Sequence, residues 1–149
     1  MLKLYILTLS MILCLTAQSA WAQGDAIGFV KTVAGDARIL DSGKAVIARP
    51  GTPLYLGSVL RTGEKGSLGV TFKDNTVMSF GPDTEVTIDD YLYAPAKGDL
   101  KLVASIAKGT LHYISGVIAK LKPEAVAVKT PTGIIGVRGT HFLAKVEAE

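Results

Sequence analysis

The middle of the chain alternates hydrophobic and polar residues with a period of two. From residue 67 to residue 72 the large apolar side chains occupy even positions, and residues 84–88 repeat the pattern. Such alternation predicts strands with one face toward a core and the other toward water. A short apolar run at 77–80 lies between them, and Asp74-Asn75 supplies residues that tolerate the left-handed backbone of a two-residue hairpin turn. This region therefore predicts three short strands joined by tight turns.

Strand-like runs separated by glycine, proline or Asx residues continue on both sides of this region, as is typical of an all-β domain. Residues 114–121 are a weak helical candidate, because Gly116 and β-branched residues lower the helix propensity and Pro123 would end the helix. We predict an all-β fold of many short strands, arranged as a small β-solenoid-like domain or as twisted stacked sheets. The other predicted strands are 28–33, 37–40, 44–47, 58–61, 100–107, 110–114, 125–129 and 141–146.

The N-terminus has the layout of a secretory signal peptide. Lys3 precedes a largely apolar stretch, and a small-x-small cleavage site ends at Ala22. This arrangement predicts a signal peptide over residues 1–22 and a mature β domain over residues 23–149. We therefore expect the mature protein in the periplasm or outside the cell.

Two other interpretations of the N-terminus stay open. An uncleaved segment would anchor the protein in the membrane, although polar residues from Thr16 onward interrupt the roughly 20 apolar residues that a span needs. A lipid on Cys14 would be a second kind of anchor, although Leu13 stands where a small residue is normal. After cleavage, no other segment of the sequence is long and apolar enough to span a bilayer.

Charge and cysteine content argue against a nucleic-acid partner and against a disulfide in the mature domain. The chain has 16 basic and 13 acidic side chains, and removing Lys3 with the signal leaves 15 against 13. This small, evenly spread excess argues against nucleic acid as a partner. Cys14 is the one cysteine and would leave with the signal, so the mature domain would hold no disulfide.

Residues 130–142 form the segment of the chain with the most unusual amino-acid composition. Gly133, Gly136 and Gly139 recur at every third position around Arg138. This spacing predicts backbone conformations or close backbone contacts that glycine tolerates best, in a strand that runs into a tight turn and continues after it. We interpret Arg138 as a guanidinium that ties loops together inside the domain, with contact to a ligand carboxylate or a sugar as the alternative. The lysine of a phosphate-binding loop is missing from the pattern.

The sequence contains no recognisable catalytic constellation, and we expect no catalytic residue, no cofactor and no metal. A nucleophile elbow and a mature cysteine are both missing, and His112 and His141 lack further ligands at a metal-binding spacing. Tyr91 and Tyr93 point the same way from one strand and are the best candidates for an exposed surface that stacks on a sugar, with a core-edge pair as the alternative. Local hydrogen bonding at turns explains the acidic residues that could in principle form a carboxylate pair, namely Asp36, Asp74, Asp89 and Asp90.

Five segments that occur in order resemble signatures of the FecR domain family. In two of them a residue departs from the family pattern, with Ser58 in place of aspartate and Asn75 in place of glycine. The segments are 57–63, 69–78, 82–86, 108–111 and 130–142. The resemblance marks a set of signature residues with a structural or an interaction role: Asp74, Asn75, Thr130, Pro131, Gly136, Arg138, Gly139 and Thr140.

The family resemblance implies an extracytoplasmic, β-rich module. The best-known members relay a signal from an outer-membrane receptor to a cytoplasmic sigma factor. We expect neither a cytoplasmic N-terminal domain nor a span after cleavage here, so we do not expect this chain to carry a signal inward alone. We expect a non-enzymatic module that binds an envelope protein in signalling or assembly, by β-augmentation at an open sheet edge. A cell-envelope glycan bound at Tyr91 and Tyr93 is the alternative.

Overall fold

A computed structural model describes residues 24–148, and the chain in this range folds mainly into strands. Twelve strands, one short helix α1 (Val117–Leu121) and two 3₁₀ turns (Pro95–Lys97 and Pro123–Ala125) lie within it. The predicted all-β fold is confirmed. The strands are β1 (Gly28–Ala34), β2 (Ala37–Asp41), β3 (Lys44–Ile47), β4 (Pro53–Leu54), β5 (Val59–Thr62), β6 (Ser67–Phe72), β7 (Val77–Phe80), β8 (Glu85–Ala94), β9 (Asp99–Ile114), β10 (Val126–Thr130), β11 (Gly133–Gly136) and β12 (His141–Val146).

The long strand β9 joins the two parts of the sheet. Its first part, residues 99–108, pairs with β8, and its last part, residues 111–114, pairs with β7. The strand order is β3-β2-β5-β8-β9-β7-β6-β1-β4, with antiparallel neighbours throughout this path. The sheet curls, and its strands enclose one hydrophobic core. The largest fully buried side chains of the core are Tyr113, Phe72, Ile39, Leu54, Leu60, Leu68, Met78, Ile88, Leu102, Ile106, Leu111 and Ile118.

Two buried threonines fix the point at which β9 passes from one part of the sheet to the other. Gly109 lies at this point with a φ of 100°, and a Cβ there would stand 2.4 Å from the Cα of Thr84. Thr84 Oγ1 accepts the N–H of Thr110 at 3.0 Å and donates to the carbonyl of Gly81 at 2.9 Å. The Thr84 N–H donates to Thr62 Oγ1 at 2.9 Å. The junction therefore requires both a glycine and the hydroxyl groups around it.

The three strands predicted between residues 67 and 88 are confirmed as β6, β7 and the first part of β8. The turn between β6 and β7 is one residue longer than predicted. Phe72 N–H donates to the Thr76 carbonyl at 2.9 Å, and Asn75 N–H donates to the Phe72 carbonyl at 3.0 Å. These bonds close a three-residue loop with Asn75 in the left-handed region at φ 65°.

Two other expectations about elements need correction. The strands predicted at 100–107 and 110–114 are one continuous strand, β9, because Gly109 adopts its left-handed φ without ending the pairing. The helical candidate at 114–121 is helical only over Val117–Leu121, because Ile114 still belongs to β9. As expected, Pro123 follows the helix closely.

Candidate functional site

β11 and β12 are edge strands of the domain. β11 pairs with β10, which itself runs parallel to β9 along residues 102–105. β12 pairs with β9 along residues 109–114. Within residues 24–148, no strand pairs with the other edge of either β11 or β12. An unpaired edge presents a row of backbone donors and acceptors that another strand can use.

A groove of about 560 Å³ lies between these two edge strands. We call it the β11–β12 groove; β11, β12, the segment that connects them and the turn after β10 line it. Val137 is buried in it, Ile135 and Phe142 are half-buried, and Leu143 is 74% exposed. The groove therefore has a partly covered apolar lining and an apolar rim in contact with water, which is typical of a surface that binds a partner.

The hydrogen-bond alternation of β12 shows which backbone groups are free. Ser115 N–H donates to the carbonyl of Thr140 at 2.8 Å. Because hydrogen-bonded pairs alternate with non-hydrogen-bonded pairs in an antiparallel ladder, the backbone N–H and C=O groups of His141, Leu143 and Lys145 point away from β9. The side chains of the same three residues are exposed. The free edge of β12 therefore combines unused hydrogen-bonding groups with an accessible face.

Arg138 lies in the connecting segment and lines the groove. Its side chain is exposed. Among the described residues, no hydrogen bond or ion pair involves its guanidinium group. The interpretation of Arg138 as an internal tie between loops is therefore wrong, because the connecting segment carries it to the surface of the domain. A guanidinium in this position has all five donors available for a partner.

The other signature residues of this segment have structural contacts. Thr130 Oγ1 accepts the Gly133 N–H at 3.1 Å and so closes the turn between β10 and β11, with Pro131 inside it. The carbonyl of Gly139 accepts the Ser115 hydroxyl at 2.8 Å. The contacts hold the connecting segment against the end of β9. Gly136 pairs with Ala127 as the last residue of β11, and the Thr140 carbonyl accepts the Ser115 N–H as described above.

Asp74 is a fully buried acid that joins three elements. Oδ1 accepts the Tyr91 hydroxyl at 3.1 Å and the Thr76 N–H at 3.3 Å. Oδ2 accepts the Thr76 hydroxyl at 2.7 Å and the Ile118 N–H at 3.1 Å. Its backbone carbonyl accepts the Val117 N–H at 2.8 Å. The carboxylate thus ties the β6–β7 loop to β8 and to α1, so this signature residue is structural.

Tyr91 is not an exposed binding residue. It is 7% exposed, its ring stacks on Phe72 with centroids 5.5 Å apart, and its hydroxyl accepts the Asp74 N–H at 3.0 Å. Burial, together with the charge of Asp74, raises the Tyr91 pKa far above its ordinary value. Tyr93 lies on the same face, as predicted, and is half-buried against the core. The core-edge interpretation of the pair is correct, and the proposed sugar-stacking surface is wrong.

A β-bulge in β8 explains why Tyr91 is buried and not exposed as the sugar-stacking interpretation required. The pairing of β8 with β9 shifts register between Ile88 and Asp90. A bulge adds one residue, so the side chains beyond it change face. Ile88 before the bulge and Tyr91 after it are therefore both buried, although one position is even and the other odd.

Other residues considered as chemical candidates are placed as follows. His112 and His141 come together on β9 and β12, with ring centroids 6.3 Å apart. In the part of the chain that the structure describes, no group of three or more His, Cys, Asp or Glu side chains could hold a metal ion. The remaining acids have local partners: Asp36 pairs with Arg38 at 3.3 Å, Asp89 accepts the Ser105 hydroxyl, and Asp90 pairs with Lys101 at 2.6 Å.

Comparison with known proteins identifies the family. A model of the FecR protein family matches residues 58–149. The chain belongs to the FecR family. The match covers the buried Asp74, the bulged strand β8 and the β11–β12 groove, so these features belong to the FecR region of the chain. Membership of the FecR family suggests an envelope-associated module.

Two further comparisons add little to this assignment. Comparison with curated proteins finds no match. Among solved structures, a cell surface anchoring domain is similar, with 31% identity over 43% of this chain and 86% of that chain, at a TM-score of 0.41. The signal peptide predicted at 1–22 lies outside the described residues. Within residues 24–148, no helix has the length and apolar character required to cross a membrane.

Proposed function

We propose that this protein is a non-enzymatic, extracytoplasmic FecR module that binds another envelope protein through the β11–β12 groove. The bound segment is an extended stretch of the partner that adds as a strand to β12. The observation that carries this proposal is the free edge of β12 beside an apolar groove. Main-chain hydrogen bonds supply affinity in such β-augmentation, and pockets for alternate side chains supply specificity.

The charge around the groove favours an acidic partner segment. Arg138 lines the groove without an ion pair among the residues described, whereas Lys145 is paired with Glu147 at 3.3 Å. An exposed guanidinium with five donors forms its strongest contacts with a carboxylate, often through two parallel hydrogen bonds. We therefore expect the partner segment to carry an aspartate or glutamate that reaches Arg138, and apolar side chains that contact Phe142 and Leu143.

Site-specific photo-crosslinking in the native cell envelope tests this assignment. A photo-reactive amino acid at Lys145 sits on the free edge of β12, and the same amino acid at Val46 sits on β3, the strand at one end of the strand order, to which β12 does not belong. Both side chains are exposed, so exposure alone does not distinguish them. We expect a discrete crosslinked protein from position 145, absent from position 46. Crosslinks from position 46 and none from position 145 would move the binding site to β3 and refute the proposal.

A further inference from the structure

The two histidines of the chain are separated by 28 residues in sequence, yet the fold makes them neighbours. The sequence contains two histidines in total. In the β9–β12 pairing, Leu143 faces His112 and His141 faces Ile114. The two histidines are therefore diagonal cross-strand neighbours on one face of the sheet. Both side chains are exposed, and their rings lie 6.3 Å apart in an edge-to-face arrangement.

The contact of Thr140 with His141 favours one ring nitrogen as a ligand. Thr140 Oγ1 lies 3.2 Å from His141 Nδ1. In the tautomer whose Nδ1–H donates to this hydroxyl, the Nε2 atom carries the free lone pair. Metal-binding histidines commonly have such a partner on the other ring nitrogen, because it fixes the tautomer and the ring orientation. His141 can therefore offer Nε2 as the nitrogen that binds a metal ion.

We propose that His112 and His141 form a two-imidazole site for a divalent first-row transition metal ion of the Cu²⁺, Ni²⁺ and Zn²⁺ class. With metal–nitrogen distances of about 2.0–2.1 Å, two imidazoles on one ion have ring centres roughly 5 Å apart. The observed rings need to approach by roughly 1 Å, which rotation of two exposed side chains permits. Nitrogen ligands without a nearby carboxylate select this class of ion over Mg²⁺ and Ca²⁺.

The site has open coordination positions. Within the described range the pair has no third histidine, cysteine or carboxylate close enough to complete a metal site. Water molecules therefore fill the remaining positions, or a donor from a bound molecule does so, as in metal sites that keep an exchangeable ligand. Because imidazole affinity follows the order of the divalent ions, Cu²⁺ should bind more tightly than Ni²⁺ or Zn²⁺.

Calorimetric titration of the purified protein with Cu²⁺, Zn²⁺ and Mg²⁺ tests the site. We expect one Cu²⁺ per chain, weaker binding of Zn²⁺ and no binding of Mg²⁺. His112→Gln and His141→Gln should each weaken Cu²⁺ binding at least tenfold, whereas Lys145→Gln on the same exposed face should leave it unchanged. Because binding requires the folded pairing of β9 with β12, Zn²⁺ should also raise the melting temperature of the wild-type protein.

The inference is overturned if either histidine variant binds Cu²⁺ as tightly as the wild-type protein, since a second site would then explain the binding. It is also overturned if the wild-type protein binds neither Cu²⁺ nor Zn²⁺. Both histidines are exposed, so their substitution should not unfold the domain, and far-UV circular dichroism of each variant checks this. The melting-temperature shift should vanish in both histidine variants and persist in Lys145→Gln.

Discussion

Replacing Asp74 by asparagine tests how strongly the buried carboxylate stabilises the fold. The carboxylate accepts four hydrogen bonds, from Tyr91, Ile118 and two groups of Thr76. Asparagine keeps the shape but has one acceptor oxygen. If that oxygen stays with Tyr91, the amide NH₂ faces the Ile118 N–H, and two donors then oppose each other in a buried site.

The expected cost follows from those bonds. An orphaned buried donor costs about 1–3 kcal/mol, and hydrogen bonds to a charged acceptor are stronger than those to an amide. We expect Asp74→Asn to lower the free energy of unfolding by about 2–4 kcal/mol in total. Urea denaturation at pH 7 should show this loss as a lower midpoint urea concentration, with an unchanged slope of the unfolding free energy against urea concentration.

Asp83→Asn is the matched control for this substitution. Asp83 is exposed at a turn with a left-handed φ of 50°, a conformation that asparagine tolerates. Its substitution should change the free energy of unfolding by no more than about 0.5 kcal/mol. An Asp74→Asn effect as small as that of the control would refute the assignment of Asp74 as a structural centre.

Three further predictions concern the β9 junction, the groove and the buried tyrosines. Gly109→Ala should lower the free energy of unfolding by about 3 kcal/mol or more in urea denaturation, because it combines a left-handed φ with a 2.4 Å approach to Thr84 Cα. Arg138→Ala should leave the melting temperature unchanged, since the side chain is exposed and no hydrogen bond or ion pair within residues 24–148 involves its guanidinium group; a marked drop would restore an internal role. Burial raises the pKa values of Tyr91 and Tyr113 above 10.0. Because the unfolded chain then loses these two protons at a lower pH than the folded chain does, the stabilisation from the buried hydroxyls is fully present below about pH 10 and is lost as the pH rises above it. The free energy of unfolding, measured by urea denaturation, should therefore fall above about pH 10. A flat profile through pH 11 would contradict the burial of these hydroxyls.

The β6–β7 hairpin and the start of β8 were predictable because their sequence signals are local. Alternation with a period of two identifies the strands, and an Asx pair identifies the turn. The turn length was not predictable, because the third loop residue is fixed by the Phe72–Thr76 hydrogen bond. The Asp74 carboxylate in the same loop depends on Ile118, 44 positions away, and no local pattern announces that contact.

The errors about the site have the same origin. Gly109 looked like the end of a strand, but the network of Thr84 keeps the chain paired through it. Tyr91 looked exposed or at a core edge, and the bulge in β8 decides its face. The free edge of β12 and the pairing of His112 with His141 both follow from the register of β12 on β9, which is a non-local property. One signal was available in the sequence: Leu143 is an apolar residue on the polar face of its strand.

The most direct test of the proposed function separates main-chain pairing from side-chain contact at a single position. Leu143→Pro removes the outward-pointing backbone N–H, and an edge strand tolerates proline there because β9 does not use that donor. Leu143→Ala removes the side chain and keeps the N–H. With the crosslinker at Lys145 in the native envelope, β-augmentation predicts that the crosslinked species disappears in Leu143→Pro and persists at a reduced level in Leu143→Ala, while both variants melt cooperatively. Equal crosslinking in the wild-type protein and a folded Leu143→Pro variant would contradict strand addition to β12.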